Sequence, residues 1–192
     1  MRIILFLLCI STLSADVLSN LEKSFASDGP FVAGKLLTKL KPGIHYLEGA
    51  SDNQSELLIS IHGWKTNGFE WVYPLIELDS EDNRIAFFRW NTSGCPNKAT
   101  EQLYKIVNTQ AHNYEKITLI GHSYGGIIVT KLLNRDFAKP IDMHIIASGI
   151  SGDPRLNSFC GYKPPAKTSL NVTAFQWMTQ KDLDGAFKDL KI

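Results

Sequence analysis

Apolar residues in the central and C-terminal parts of the chain come in short, nearly continuous runs separated by amphipathic stretches. Leu57-Leu58-Ile59-Ser60-Ile61 ends at His62-Gly63, and Arg84-Ile85-Ala86-Phe87-Phe88-Arg89-Trp90 ends at Asn91-Thr92-Ser93-Gly94-Cys95-Pro96. Ile117 to Ile120, Ile141 to Ala147 and Val172 to Met178 repeat the pattern. Runs of this length read as strands covered on both faces, because a half-solvated strand would alternate apolar and polar positions. Between Asn97 and Tyr114, Leu103, Ile106, Val107 and Ala111 recur at helical spacing, and Gly125 to Phe137 reads as a second helix. Strand and helix alternation predicts an α/β fold in three layers, a mostly parallel sheet with helices on both faces.

Residues 16–55 are more mixed. Turn signals at Asp28-Gly29-Pro30, Lys41-Pro42-Gly43 and positions 48–53 leave Phe31 to Leu40 and Ile44 to Leu47 as short edge strands. In a sheet of this kind a ligand site lies outside the carboxyl ends of the strands. The loops that begin at His62, Asn91, Gly121, Ser148 and Thr179 all belong to that edge.

The first fifteen residues break the pattern. Met1-Arg2 precede an apolar run from Ile3 to Ile10, and small residues at Ser14 and Ala15 precede the first acid, Asp16. This order of charge, apolar core and small residues predicts a secretory signal peptide over 1–15, since the run is too short to span a bilayer. The mature chain, 16–192, is then exported with no transmembrane segment, and it contains the two cysteines Cys95 and Cys160, a pair suited to one disulfide. Twenty basic and nineteen acidic residues among 192 give a formal net charge of +1, so a nucleic-acid partner, which leaves a basic footprint, is not expected. The 44% hydrophobic and 20% charged content is that of an ordinary globular chain, and 192 residues suit one domain.

Chemistry concentrates at Gly121-His122-Ser123-Tyr124-Gly125-Gly126, placed between a strand and a helix. G-x-S-x-G in that context bends the chain sharply and lifts the serine hydroxyl over the sheet edge, with Gly121 and Gly125 leaving room for neighbouring backbone. The same residues also fit a tight strand-to-helix loop in which Ser123 caps the helix. His62-Gly63-Trp64, ending an upstream strand, favours the nucleophile: a backbone N–H of Gly63 or Trp64 would join that of Tyr124 in holding an acyl oxyanion. His62 and His122 read as supporting residues rather than as the base. Trp64, Phe69, Trp71, Tyr73 and Trp90 near this edge fit either an acyl pocket or an aromatic core.

The segments "LLISIHGW", "RIAFFRW", "ITLIGHSYGG" and "NVTAFQWMTQKDLDG" together resemble the successive core strands of the α/β-hydrolase superfamily, particularly its lipases and esterases. The likeness covers about residues 56 to 187. It implies hydrolysis of small-molecule or lipid carboxylic esters through an acyl-enzyme, a Ser, Asp/Glu, His triad in that chain order, and neither metal nor organic cofactor. The resemblance makes Asp182 the triad acid, with Asp184 and Asp153 as alternatives. No histidine follows Asp182, and the others, His45, His112 and His144, stand in an N-terminal turn region, on an amphipathic helix and within an apolar strand. The resemblance therefore implies a domain incomplete at its C-terminus, completed by a further segment or another chain. The alternative is a hydrolase-fold binding protein without catalysis.

Overall fold

The computed structural model describes residues 16–180. The segment 1–15, Asp182 and Asp184 lie outside the described residues. Among the described residues, six helices and six strands follow in the order α1 (Val17–Asp28), α2 (Pro30–Thr38), β1 (Gly43–Tyr46), β2 (Glu56–Ile61), α3 (Phe69–Glu77), β3 (Asn83–Arg89), α4 (Asn97–Gln110), β4 (Lys116–His122), α5 (Tyr124–Thr130), β5 (Ile141–Ile146), α6 (Pro154–Phe159) and β6 (Val172–Trp177).

The strands form one sheet in the order β1-β3-β2-β4-β5-β6, parallel throughout except for β1, which pairs antiparallel with β3. The central β2 pairs Ile61 with Phe88 on one side and with Gly121 on the other. That register brings the ends of three apolar runs to one level, where the His62 and Ser123 loops leave the sheet.

Each sheet face buries its own cluster. Alternate residues Leu57, Ile59, Ile61, Ile117, Leu119, Met143 and Ile145 pack under Leu103 and Val107 of α4 and Ile128 and Val129 of α5. The other set, Leu58, Ile85, Phe87 and Ile120, packs under Leu18 and Leu21 of α1, Ala33 and Leu37 of α2, and Trp71, Val72 and Leu75 of α3. The fold is thus α/β, a mostly parallel sheet between two helical layers, as the run lengths require.

Three features differ from the sequence reading. Phe31 to Leu40 is not a strand: Pro30 at the first helical position starts α2, and Ala33 and Leu37, one turn apart, point into the core. Helices α1 and α3, not foreseen, cover the face that α2 shares. The helix expected to reach Phe137 ends at Thr130, after which Leu132 N–H bonds Val129 O and Leu133 N–H bonds Thr130 O, a tighter three-residue turn. The Ile44 to Leu47 strand is present as the edge strand β1, and Cys95 and Cys160 are bridged with an S–S distance of 2.09 Å.

Candidate active site

A single residue joins β4 to α5. Ser123 adopts φ 53° and ψ −121°, a positive φ that an L-residue with a side chain reaches only when its surroundings impose it. Its N–H bonds Ile146 O at 2.9 Å, extending the β4–β5 ladder by one residue, and its carbonyl accepts Gly126 N–H at 2.9 Å, closing the first turn of the helix. The side chain does not cap α5, and among the described residues Ser123 Oγ makes no hydrogen bond. Ser123 is half-buried, so the hydroxyl is neither enclosed in the core nor spent on the helix.

Close backbone approach explains the flanking glycines. A Cβ on Gly125 would stand 2.3 Å from Ile61 O and 2.6 Å from His62 O, and one on Gly121 would stand 2.7 Å from Gly125 O. The elbow is thereby pressed against β2 on one side and against its own helix on the other. Gly63 meets it from above: a Cβ there would be 3.0 Å from Ser123 Cβ and 3.5 Å from Ser123 Oγ. The 62–64 loop and the elbow are therefore in van der Waals contact.

His62 holds that loop in place. It is fully buried. Its Nε2 accepts from Trp90 N–H at 3.0 Å and from Arg89 Nη1 at 2.9 Å, which puts the ring proton on Nδ1, where it donates to Gly63 O at 2.8 Å. Trp90 Nε1 donates in return to His62 O at 2.9 Å. Burial chiefly lowers the His62 pKa, to about 4, and the Arg89 guanidinium acts in the same sense while the Gly63 carbonyl opposes it. A neutral imidazole with both nitrogens engaged is a positioning group. By tying back the Gly63 carbonyl it points the Trp64 N–H of the same peptide in the opposite direction. The Trp64 N–H donates no hydrogen bond among the described residues.

Tyr124 opens α5, so its N–H has no carbonyl one turn earlier within the helix. Its ring lies 5.1 Å from Trp90, and its hydroxyl donates to Gly94 O at 3.0 Å. Burial raises its pKa, with the Asp153 carboxylate adding in the same direction. The Cys95–Cys160 bridge fastens the 91–96 loop, which receives that hydroxyl, to the end of α6. The rim is thus a continuous chain of contacts from Ser123 through Tyr124 and Gly94 to the disulfide.

The remaining candidates are dispersed. Asp153 is exposed and caps α6, its Oδ1 accepting from Arg155 N–H at 2.8 Å and Leu156 N–H at 3.0 Å. His45 Nε2 lies 2.7 Å from Lys41 O in the N-terminal part of the chain, and His112 is exposed just beyond α4. His144 Nδ1 accepts from Trp177 Nε1 at 3.1 Å with Phe175 stacked on its ring at 4.7 Å, and burial lowers its pKa. The His122 ring packs edge-on against Trp71. Of the five aromatic residues near the edge, Trp71 and Trp90 are core, whereas Trp64, Phe69 and Tyr73 are exposed. The His62, Arg89 and Trp90 clasp was not read from sequence. Its signal was a polar pair ending two neighbouring apolar runs, which becomes a contact only once β2 and β3 pair in parallel.

No protein-family model and no curated protein matches the sequence. Among solved structures the chain is similar to Est816, an N-acyl homoserine lactone degrading enzyme, at 18% identity and a TM-score of 0.41, over 60% of this chain and 47% of that one. It is also similar to the esterase EaEST from Exiguobacterium antarcticum, at 19% identity and a TM-score of 0.39, over 55% of this chain and 41% of that one. The chain spans less than half the length of either structure.

Proposed function

We propose that the chain is an exported serine hydrolase acting on small-molecule or lipid carboxylic esters, with Ser123 as the nucleophile. The observation that carries this reading is the junction itself: a positive-φ serine, with its hydroxyl uncommitted among the described residues, linking strand to helix beside Gly63. Ser123 Oγ would attack the ester carbonyl carbon, forming a C–O bond, while the carbonyl oxygen takes negative charge toward the N–H of Tyr124 and that of Gly63 or Trp64. Collapse would expel the alcohol with a proton and leave an acyl-enzyme, which water then cleaves to the acid and free serine. Each amide donor to such an oxyanion contributes about a hundredfold to a thousandfold in rate.

A proton acceptor must reach Ser123 Oγ. His45, His62 and His144 are bonded to other groups and His112 is exposed just beyond α4, so the reading takes the histidine from a completing segment or another chain, oriented by Asp182, with Asp184 and Asp153 as alternatives. Export is supported by the signal-like order of residues 1–15 and by the Cys95–Cys160 bridge, which belongs in an oxidising compartment. The test is turnover of p-nitrophenyl butyrate. With the histidine-bearing segment or chain present, Ser123→Ala should reduce it to the uncatalysed background, whereas a folded protein so completed that turns over no ester, or a Ser123→Ala variant that retains turnover, would leave the hydrolase-fold binder as the better account.

A further inference from the structure

Four exposed apolar residues gather at the lip of the Ser123 site: Phe31 (67% exposed), Val32 (44%), Trp64 (59%) and Phe69 (38%). Phe31 and Val32 come from α2, Trp64 from the loop between β2 and α3, and Phe69 from the start of α3, and backbone packing joins α2 to the start of α3. Gly34 and Gly68 cross in backbone contact, such that a Cβ on Gly34 would lie 2.4 Å from Phe69 N and one on Gly68 2.2 Å from Gly34 O. The Phe31 and Phe69 rings consequently lie in tilted contact, their centroids 4.7 Å apart. Trp64 follows Gly63, which touches Ser123, so the patch begins where the candidate site opens.

Its charge is mostly basic. From Phe31 to Lys41 the chain carries Lys35, Lys39 and Lys41, all exposed, and no acid. Lys65 Nζ lies 4.4 Å above the Trp64 ring. Glu70, the acid of the adjoining α3 turn, is directed inward, with Oε1 accepting the Thr66 hydroxyl and Oε2 buried. Phe31, Lys35, Thr38, Thr66 and Asn67 enclose a shallow hollow of about 280 Å³ between α2 and the loop. Aromatic rings flanked by lysines suit the boundary of a lipid layer, where rings enter the headgroup and acyl zone and ammonium groups remain with the phosphates. Asp28, exposed at the end of α1 three residues before Phe31, is outnumbered by Lys35, Lys39, Lys41 and Lys65.

We propose that this face of α2 and the 64–69 loop docks on an anionic lipid surface, bringing the Ser123 edge to the lipid. Its meaning for substrate rests on the ester-hydrolase reading, but the docking itself needs no chemistry at Ser123.

Co-sedimentation with vesicles of equal parts phosphatidylcholine and phosphatidylglycerol separates the two. The protein and its Ser123→Ala variant should bind these vesicles alike, more weakly in added salt, and should bind pure phosphatidylcholine vesicles at least tenfold less. Phe31→Ser combined with Lys35→Glu, both on the solvent face of α2, should lower the vesicle partition coefficient at least tenfold, a charge near such a surface being worth about fivefold by itself. Val32→Ser combined with Lys39→Glu should act in the same direction with an unchanged circular dichroism spectrum. Absence of binding by the folded protein at low salt, equal binding to both lipid mixtures, or binding indifferent to both double variants would overturn the proposal. Selective capture of a protein by this face, with vesicles left unbound, would overturn it as well.

Discussion

Gly125→Ala tests the contact that forms the elbow. The added Cβ would stand 2.3 Å from Ile61 O, 2.6 Å from His62 O and 2.8 Å from Ile61 C, whereas ordinary contact begins at 3.4 Å. Relief therefore requires about 1 Å of separation between α5 and β2. The atoms in the way are main-chain carbonyls of a strand held between β3 and β4, so no side-chain rotation provides it. Overpacking of this kind costs about 1–3 kcal/mol, and a rigid obstacle belongs at the upper end. Alanine's better helix propensity returns up to about 1 kcal/mol. The net expectation is a loss of about 2 kcal/mol, or about 4–8 °C in Tm for a domain of this size. Urea denaturation followed by circular dichroism measures it, with Gly49→Ala as the control, since a Cβ there meets nothing within 4 Å. If Gly125→Ala and Gly49→Ala unfold at the same urea concentration, the close approach of helix to strand is wrong, and the steric basis of the elbow with it.

Two further outcomes follow from the supports around Ser123. His62 is neutral when folded, with a pKa of about 4, and titrates near 6.5 when unfolded, so its stabilising contribution is complete above pH 6.5 and is lost as pH falls toward 4. Between pH 6.5 and 5 this amounts to about 2 kcal/mol, and a urea series across that interval should show the loss in the native chain and a smaller one in His62→Asn. The Cys95–Cys160 bridge closes a loop with a sequence separation of 65, and a Cys95→Ser, Cys160→Ser variant should be less stable by about 4 kcal/mol on the chain-entropy account. The same variant should also loosen the Gly94 carbonyl that receives the Tyr124 hydroxyl, seen as faster amide hydrogen exchange at 91–96; unchanged exchange there would separate the bridge from the site rim.

The sheet was legible because β2, β3 and β4 are central strands whose burial leaves nearly unbroken apolar runs, whereas β6, expected to be covered on both faces, is an edge strand among the described residues with only Val172 buried. Helix α4 was legible from its one apolar stripe. Helix α2 was misread because Phe31 and Val32, which favour strands, are exposed on it, while the informative residues are Pro30, Ala33 and Leu37. Helix α1 carried readable signals, an Asp16 cap and Leu18, Leu21 and Phe25 at helical spacing, in a region dominated by turn residues. In α3 the interior Pro74 obscured the stripe of Trp71, Val72 and Leu75. At the site, the elbow glycines could be foreseen because the strain is local to six residues. The clasp of His62 on Arg89 and Trp90 could not, since a separation of 27 and 28 residues is bridged only by strand pairing. Asp182 and Asp184, named by sequence, lie outside the described residues, and Asp153 is placed as a helix cap.

The central claim is that position 123 carries a reactive hydroxyl, and treatment with a fluorophosphonate followed by intact-mass and peptide mapping addresses it most directly. The account predicts one phosphonyl adduct per chain, located on Ser123, abolished by prior unfolding and absent from Ser123→Ala. With the histidine-bearing segment or chain present, a folded protein that acquires no adduct, or one whose adduct persists at another residue when Ser123 is alanine, would contradict it.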